Sequence, residues 1–251
     1  MTILLLKLFL TPLMIGAVTL AGRRWGPGVS GWLMGFPLTS APVSLILALQ
    51  DGSAFAARAA IGTLGGQASV CLFCLAYGWL ALNWDWPIAA GGAILAFLLA
   101  TLIWSRFALA LLPTFAVVLL MIGLIGWKLP KRRAPAEPVA APRWDMPARM
   151  VIAATFVLLL TSLAATLGPQ LSGLLSPFPI FGVIMATFAH RQLGAAAAIR
   201  LLRGVVLGSF AFASFFAVIG YALPALAIPW SYLLATLAAL VVNSILFRRA
   251  A

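Results

Sequence analysis

Acidic side chains are nearly missing from this chain. Of 251 residues only four are Asp or Glu, and charged residues of both signs make up 8%. A soluble domain carries about 25% charged residues to cover its surface, so a water-facing globule is excluded. The four acids are Asp51, Asp85, Glu137 and Asp145, and all fall at the expected ends of apolar runs or in a linker. Without a carboxylate at mid-membrane, carboxylate-based proton or sodium coupling is disfavoured, and so is a cationic substrate. Coordination of a cation by unwound backbone carbonyls stays open. Cysteine is scarce too: Cys71 and Cys74 share one apolar run, which implies no disulfide framework. Their CxxC spacing lacks an exchange partner and reads as small buried residues. One histidine, no ligand-spaced cluster, no phosphate-binding loop and no nucleophile–base set lead to the expectation of no metal, no cofactor and no enzymatic activity.

What the chain does have is apolar length. Hydrophobic residues make up 64% of it. Many runs exceed the roughly 18–20 residues that cross a bilayer as helix, whereas barrel strands alternate over about ten. The fold class expected is an all-α polytopic membrane protein. Nine spans are read, near 3–21, 28–50, 54–82, 86–104, 107–127, 148–167, 170–190, 195–223 and 228–247. Residues 128–147 are the one linker, basic and then Pro/Ala-rich, as expected of an extended, mobile cytoplasmic loop. The N-terminus lacks a basic region before its apolar run, and Arg23-Arg24 follow it, so it reads as a span rather than a signal peptide.

The net charge of +12 reflects topology, because the cations flank apolar runs instead of forming a basic face interleaved with aromatics. Nucleic acid is therefore not an expected partner; membrane lipid is. With nine spans and the C-terminus inside, Arg23, Arg24, Lys128, Lys131, Arg132, Arg133, Arg143, Arg149, Arg191, Arg200, Arg203, Arg248 and Arg249 are cytoplasmic. Only Lys7, Arg58 and Arg106 face out. The positive-inside rule then places the N-terminus outside, in a bacterial inner membrane. Trp25, Trp79, Trp84, Trp86, Trp104, Trp127 and Trp230 gather at expected span ends as an interfacial belt.

The chain also repeats itself. The segment from Gly26 realigns without a gap on the segment from Gly168, a shift of 142 residues that pairs Pro27 with Pro169, Ser30 with Ser172, Gly31 with Gly173, Phe36 with Phe178, Pro37 with Pro179 and Gly52 with Gly194. The next span keeps register through Arg58 and Arg200, Gly62 and Gly204, Gly66 and Gly208, and Gly78 and Gly220. Span two follows one crossing and span seven follows six, so the copies run in opposite directions. This is a four-plus-one-plus-four inverted repeat: residues 1–105, a linking helix at 106–127, the linker at 128–147, and residues 148–251.

Each copy carries a proline about ten residues into its span. It removes an amide and clashes with the preceding turn, so both helices should break near mid-bilayer. Paired interrupted helices are the best sequence pointer to a carrier's central site. The expected pathway residues are Ser30, Gly31, Phe36, Pro37, Thr39 and Ser40 in the first copy and Ser172, Gly173, Ser176, Phe178 and Pro179 in the second. Arg58, Arg200 and His190 are weaker candidates for contact with an anion or a lipid headgroup; snorkelling to the interface is the plainer account of the two arginines. Gly62, Gly66, Gly204 and Gly208, four apart, mark close helix contacts.

The stretch Gly-Leu-Leu-Ser-Pro-Phe-Pro-Ile-Phe from Gly173 to Phe181, followed by a glycine and then Leu-Arg before a Gly-rich span, resembles the GlpM-like family of small bacterial membrane proteins. The resemblance covers about 50 residues in each half. It implies two such modules fused in opposite orientations with added spans, and a loose link to exopolysaccharide physiology, but no substrate. The function expected is transport or facilitated passage of a neutral, anionic or lipid-like solute between spans two and seven. The competing expectation is a non-transporting scaffold in envelope or polysaccharide assembly.

Overall fold

The computed structural model describes residues 2–38, 40–107, 110–131, 144–152, 154–155 and 178–250, with backbone alone for 2–8, 10, 11 and 247–250. Its regular structure is entirely helical: α1 (Thr2–Trp25), α2 (Pro27–Met34), α3 (Ser40–Gln50), α4 (Ser53–Leu80), α5 (Trp86–Trp104), α6 (Leu111–Lys128), α7 (residues 145–152), α8 (Ile180–Leu193), α9 (Ala195–Ala222) and α10 (Ile228–Ala250). The chain is an all-α, multi-pass membrane protein. Among the described residues, five segments are long and apolar enough to cross a bilayer: Ser53–Leu80, Trp86–Trp104, Leu111–Lys128, Ala195–Ala222 and Ile228–Leu246. That is fewer than the nine expected. The expected span 28–50 is not one helix but two, of 8 and 11 residues, because Pro37 supplies no amide to continue the ladder. Residues 153 and 156–167 of the expected span 148–167, and residues 170–177 of the expected span 170–190, lie outside the described residues.

α4 and α9 form the centre. About 56% of the apolar window of each is buried inside the protein, against 22–28% in α5, α6 and α10, whose remaining faces are apolar and suited to lipid. α9 packs against α2, α4, α6, α8 and α10. α4 and α9 each contain 28 residues, and each starts after a glycine whose φ is strongly positive, 88° at Gly52 and 82° at Gly194. With ψ near 161° and 172°, that backbone region is essentially closed to side chains. It lets the chain reverse within two residues from α3 into α4 and from α8 into α9. The two long helices run antiparallel: Ile61, early in α4, lies beside Gly220, late in α9.

α2 seats on α9 through glycine. A Cβ at Gly204 would lie 2.7 Å from the Trp32 amide nitrogen, and one at Gly35 would lie 2.5 Å from the Gly208 Cα. At Gly31 a Cβ would strike the Leu201 carbonyl oxygen. The seam is backbone against backbone, the closest approach two helices can make. Six of the seven tryptophans of the expected belt are exposed or half-exposed at helix ends. Arg24 lies over Trp25 and Lys128 over Trp127. Trp104 differs: its indole turns inward and occupies the space beside Gly65.

Candidate functional site

The first break is a tight turn. After Met34 the Gly35 amide still bonds to Gly31 O at 3.1 Å and the Phe36 amide to Leu33 O at 3.1 Å. The Leu38 amide then reaches back only two residues, to Phe36 O at 2.8 Å, and the Ala41 amide opens α3 by bonding Pro37 O at 2.9 Å. The second break repeats this pattern. The Ile180 amide bonds Phe178 O at 2.8 Å and the Val183 amide bonds Pro179 O at 2.9 Å. Pro179 has φ −79° and ψ 59°, the centre of an inverse γ-turn. In each, the proline sits where no amide is required and its carbonyl starts the next helix.

Between these turns lies a cavity of about 180 Å³. Phe36 lines it from the first break, Phe178 and Pro179 from the second. α3 contributes Ser40, Val43, Ser44 and Leu47; α4 contributes Thr63, Gln67, Val70, Phe73 and Cys74; α8 contributes Phe181 and Gly182; α9 contributes Val205 and Phe212. Among the described residues, no charged side chain lines it. Gln67 Nε2 donates to Ser209 Oγ at 2.6 Å, joining the middles of α4 and α9. Thr63 donates its hydroxyl to Ala59 O at 2.9 Å, and the Ser44 hydroxyl pairs with the Tyr232 hydroxyl of α10 at 2.7 Å.

Of the residues expected on the pathway, Phe36, Ser40, Phe178 and Pro179 line this cavity together. Pro37 is buried in the turn beside it. Ser30 and Gly31 lie elsewhere. The Ser30 hydroxyl donates to Pro27 O at 2.9 Å, and Gly31 is pressed against α9 at the glycine seam. Thr39, Ser172, Gly173 and Ser176 lie outside the described residues. Arg58 is exposed on α4, and the Arg200 stem packs over Gly28. His190 Nδ1 meets the Tyr77 hydroxyl at 3.4 Å. None of these three faces the cavity. Cys71 and Cys74 are free and buried.

A second polar cluster was not legible as a site. Asp145, expected within the linker, is fully buried near the start of α7. It accepts from Arg23 of α1 at 2.9 Å, from Arg149 at 3.0 Å and from Gln192 of α8. Arg149 also lies over the Phe188 ring, 4.6 Å from its centroid. Burial alone would raise the Asp145 carboxyl, but the hydrogen bonds from Gln192, Arg23 and Arg149 outweigh it and hold the group below the usual carboxylate range. The cluster ties three helices at one end of the bundle. Arg23 and Arg149 both belong to the set expected on the cytoplasmic face.

The chain matches no known family profile, no curated protein and no solved structure.

Proposed function

We propose that the protein is a membrane transporter or facilitator for a small uncharged or lipid-like solute, whose path runs through the cavity between the two Phe-Pro breaks. One observation carries this reading: Phe36 from one break and Phe178 with Pro179 from the other line the same cavity. Non-helical backbone at membrane depth persists only where it is buried in protein or lines a cavity. Paired broken helices at corresponding positions are the hallmark of central sites in inverted-repeat carriers.

The duplication itself has three supports. The hydrogen bonds of the two turns agree at a shift of 142 residues. The central helices are equally long and start after equivalent glycines. Gln67 and Ser209, bonded to each other, are separated by that same shift, and equivalent positions in an antiparallel pair meet only where a two-fold axis passes. On this reading the halves are residues 1–105 and 148–251, joined by the helix at 106–127 and the linker, with nine spans, N-terminus out and C-terminus in, in a bacterial inner membrane. The resemblance to GlpM-like proteins fits two fused modules. With no charged side chain among the described lining residues and with Arg58 and Arg200 elsewhere, an uncharged solute is favoured over an anion, because a desolvated anion needs a paired donor or cation.

The test is solute-driven swelling of proteoliposomes, followed by light scattering across a panel of small uncharged solutes and anions. At least one uncharged solute should enter faster than in protein-free liposomes, and Thr63→Trp, Pro37→Ala and Pro179→Ala should each slow it. Entry no faster than through protein-free liposomes for every solute would leave the scaffold role instead.

A further inference from the structure

The polar strip of the cavity has a definite hydrogen-bonding sense. Ser209 has one hydroxyl proton, and it is donated to Val205 O at 2.8 Å. Toward Gln67 the Ser209 oxygen can therefore only accept, which fixes the Gln67 amide with its Nε2 on Ser209 and its carbonyl Oε1 turned the other way. Gln67 is 4% exposed, lines the cavity, and among the described residues no side chain donates to its Oε1. One turn earlier on α4, Thr63 has likewise donated its only hydroxyl proton to Ala59 O. Toward the cavity its oxygen is an acceptor. Positions 63 and 67 share one face of the helix, so the two residues are neighbours on the cavity wall.

Around them the wall is aromatic, with Phe36, Phe73, Phe178 and Phe212. A donor on the occupant would bond the cavity-facing Gln67 oxygen, a net gain of about 1 kcal/mol for a neutral hydrogen bond. Among the described residues, no carboxylate lines the cavity to hold an ammonium group.

We infer that the cavity binds a small, uncharged, ring-bearing molecule carrying an O–H or N–H donor, the donor bonding Gln67 Oε1 with Thr63 Oγ alongside and the ring packed among the phenylalanines. This deepens the transport reading by naming the solute class of that same cavity, and it can be tested without flux.

Phenol and toluene serve as probes, being nearly the same shape with and without the donor. Their binding to the purified full chain in detergent is read as a shift in unfolding temperature. Thr63→Trp, which fills the cavity, corrects for partition into micelles. In the wild type phenol should be preferred over toluene by about five-fold, the worth of one neutral hydrogen bond. Gln67→Leu should abolish that preference while still binding toluene. Ser209→Ala, which frees the Gln67 amide to rotate but keeps its carbonyl, should weaken the preference less than Gln67→Leu does. Thr63→Val, an isosteric change that keeps the Gln67–Ser209 bond, should weaken it and guards against a misfolded Gln67→Leu.

An unchanged preference in both Gln67→Leu and Thr63→Val would overturn the inference, and so would phenol binding by Thr63→Trp equal to the wild type. Phenol preference without any proteoliposome flux would sink the transport reading alone. Flux of uncharged solutes without donor preference would sink this inference alone.

Discussion

Gly204→Ala tests the glycine seam that seats α2 on α9, and with it the position of the first break. The new Cβ would lie 2.7 Å from the Trp32 amide nitrogen and 3.0 Å from the Gly31 carbonyl carbon, and nearer still to the Gly28 carbonyl oxygen. All three are backbone atoms of α2, so none can rotate away. Ordinary contact needs about 3.5 Å, so α2 must retreat by nearly an ångström along a seam that also includes Gly31, Gly35 and Gly208. Overpacking of this kind costs about 1–3 kcal/mol. The helix-propensity gain of Gly→Ala returns up to about 1 kcal/mol, leaving a net loss of about 1–2 kcal/mol. The control is Gly123→Ala on α6, where no atom lies within 4 Å of the added Cβ. There only the propensity gain applies, and stability should be unchanged or slightly raised. Because the propensity gain is common to both, thermal unfolding in detergent, followed by tryptophan fluorescence, should place Gly204→Ala about 2–12 °C below Gly123→Ala. Equal unfolding temperatures would refute the backbone contact.

Other predictions concern the ion-pair cluster and the topology. Asp145→Asn leaves Arg149, whose side chain is 8% exposed, without its carboxylate, and should cost about 3 kcal/mol. Arg23, 39% exposed, is the solvent-screened arm, so Arg23→Gln should cost under about 1 kcal/mol; equal losses from both would contradict this division. The folded Asp145 carboxyl is held low, so its contribution is fully present above the unfolded carboxyl range near pH 4 and is lost as pH falls through the lower folded value. The stability gap between wild type and Asp145→Asn should be constant from pH 8 to 5 and narrow below about pH 4. A gap that closes near neutrality would be the wrong result. Finally, cysteines placed at positions 51 and 192 should be labelled from opposite faces by an impermeant reagent; labelling from one face would contradict inversion of the halves.

The breaks were legible because proline acts locally. A missing amide and a ring clash act on the residues beside them, so the Phe36-Pro37 and Phe178-Pro179 turns could be placed from order alone. The glycine pairs were legible for a similar reason, though the sequence did not show that Gly31 faces a helix seam while Phe36 faces a cavity. That depends on which neighbour each side of α2 meets. Asp145 was hidden because its partner Arg23 lies 122 residues away in the chain, and its own segment reads as linker. Two features of the sequence point to Gln67. It is an amide midway along an apolar run, and the position equivalent to it under the repeat, Ser209, is also polar.

Aqueous access to the cavity is the most direct test that a solute path runs between the two breaks. In a background with Cys71 and Cys74 replaced by Ala, Ser40→Cys should react with a small water-soluble thiol reagent in both right-side-out and inverted vesicles, and Gly123→Cys, on the exposed side of α6, should react in neither. Ser40→Cys that stays unmodified from either face would contradict the account.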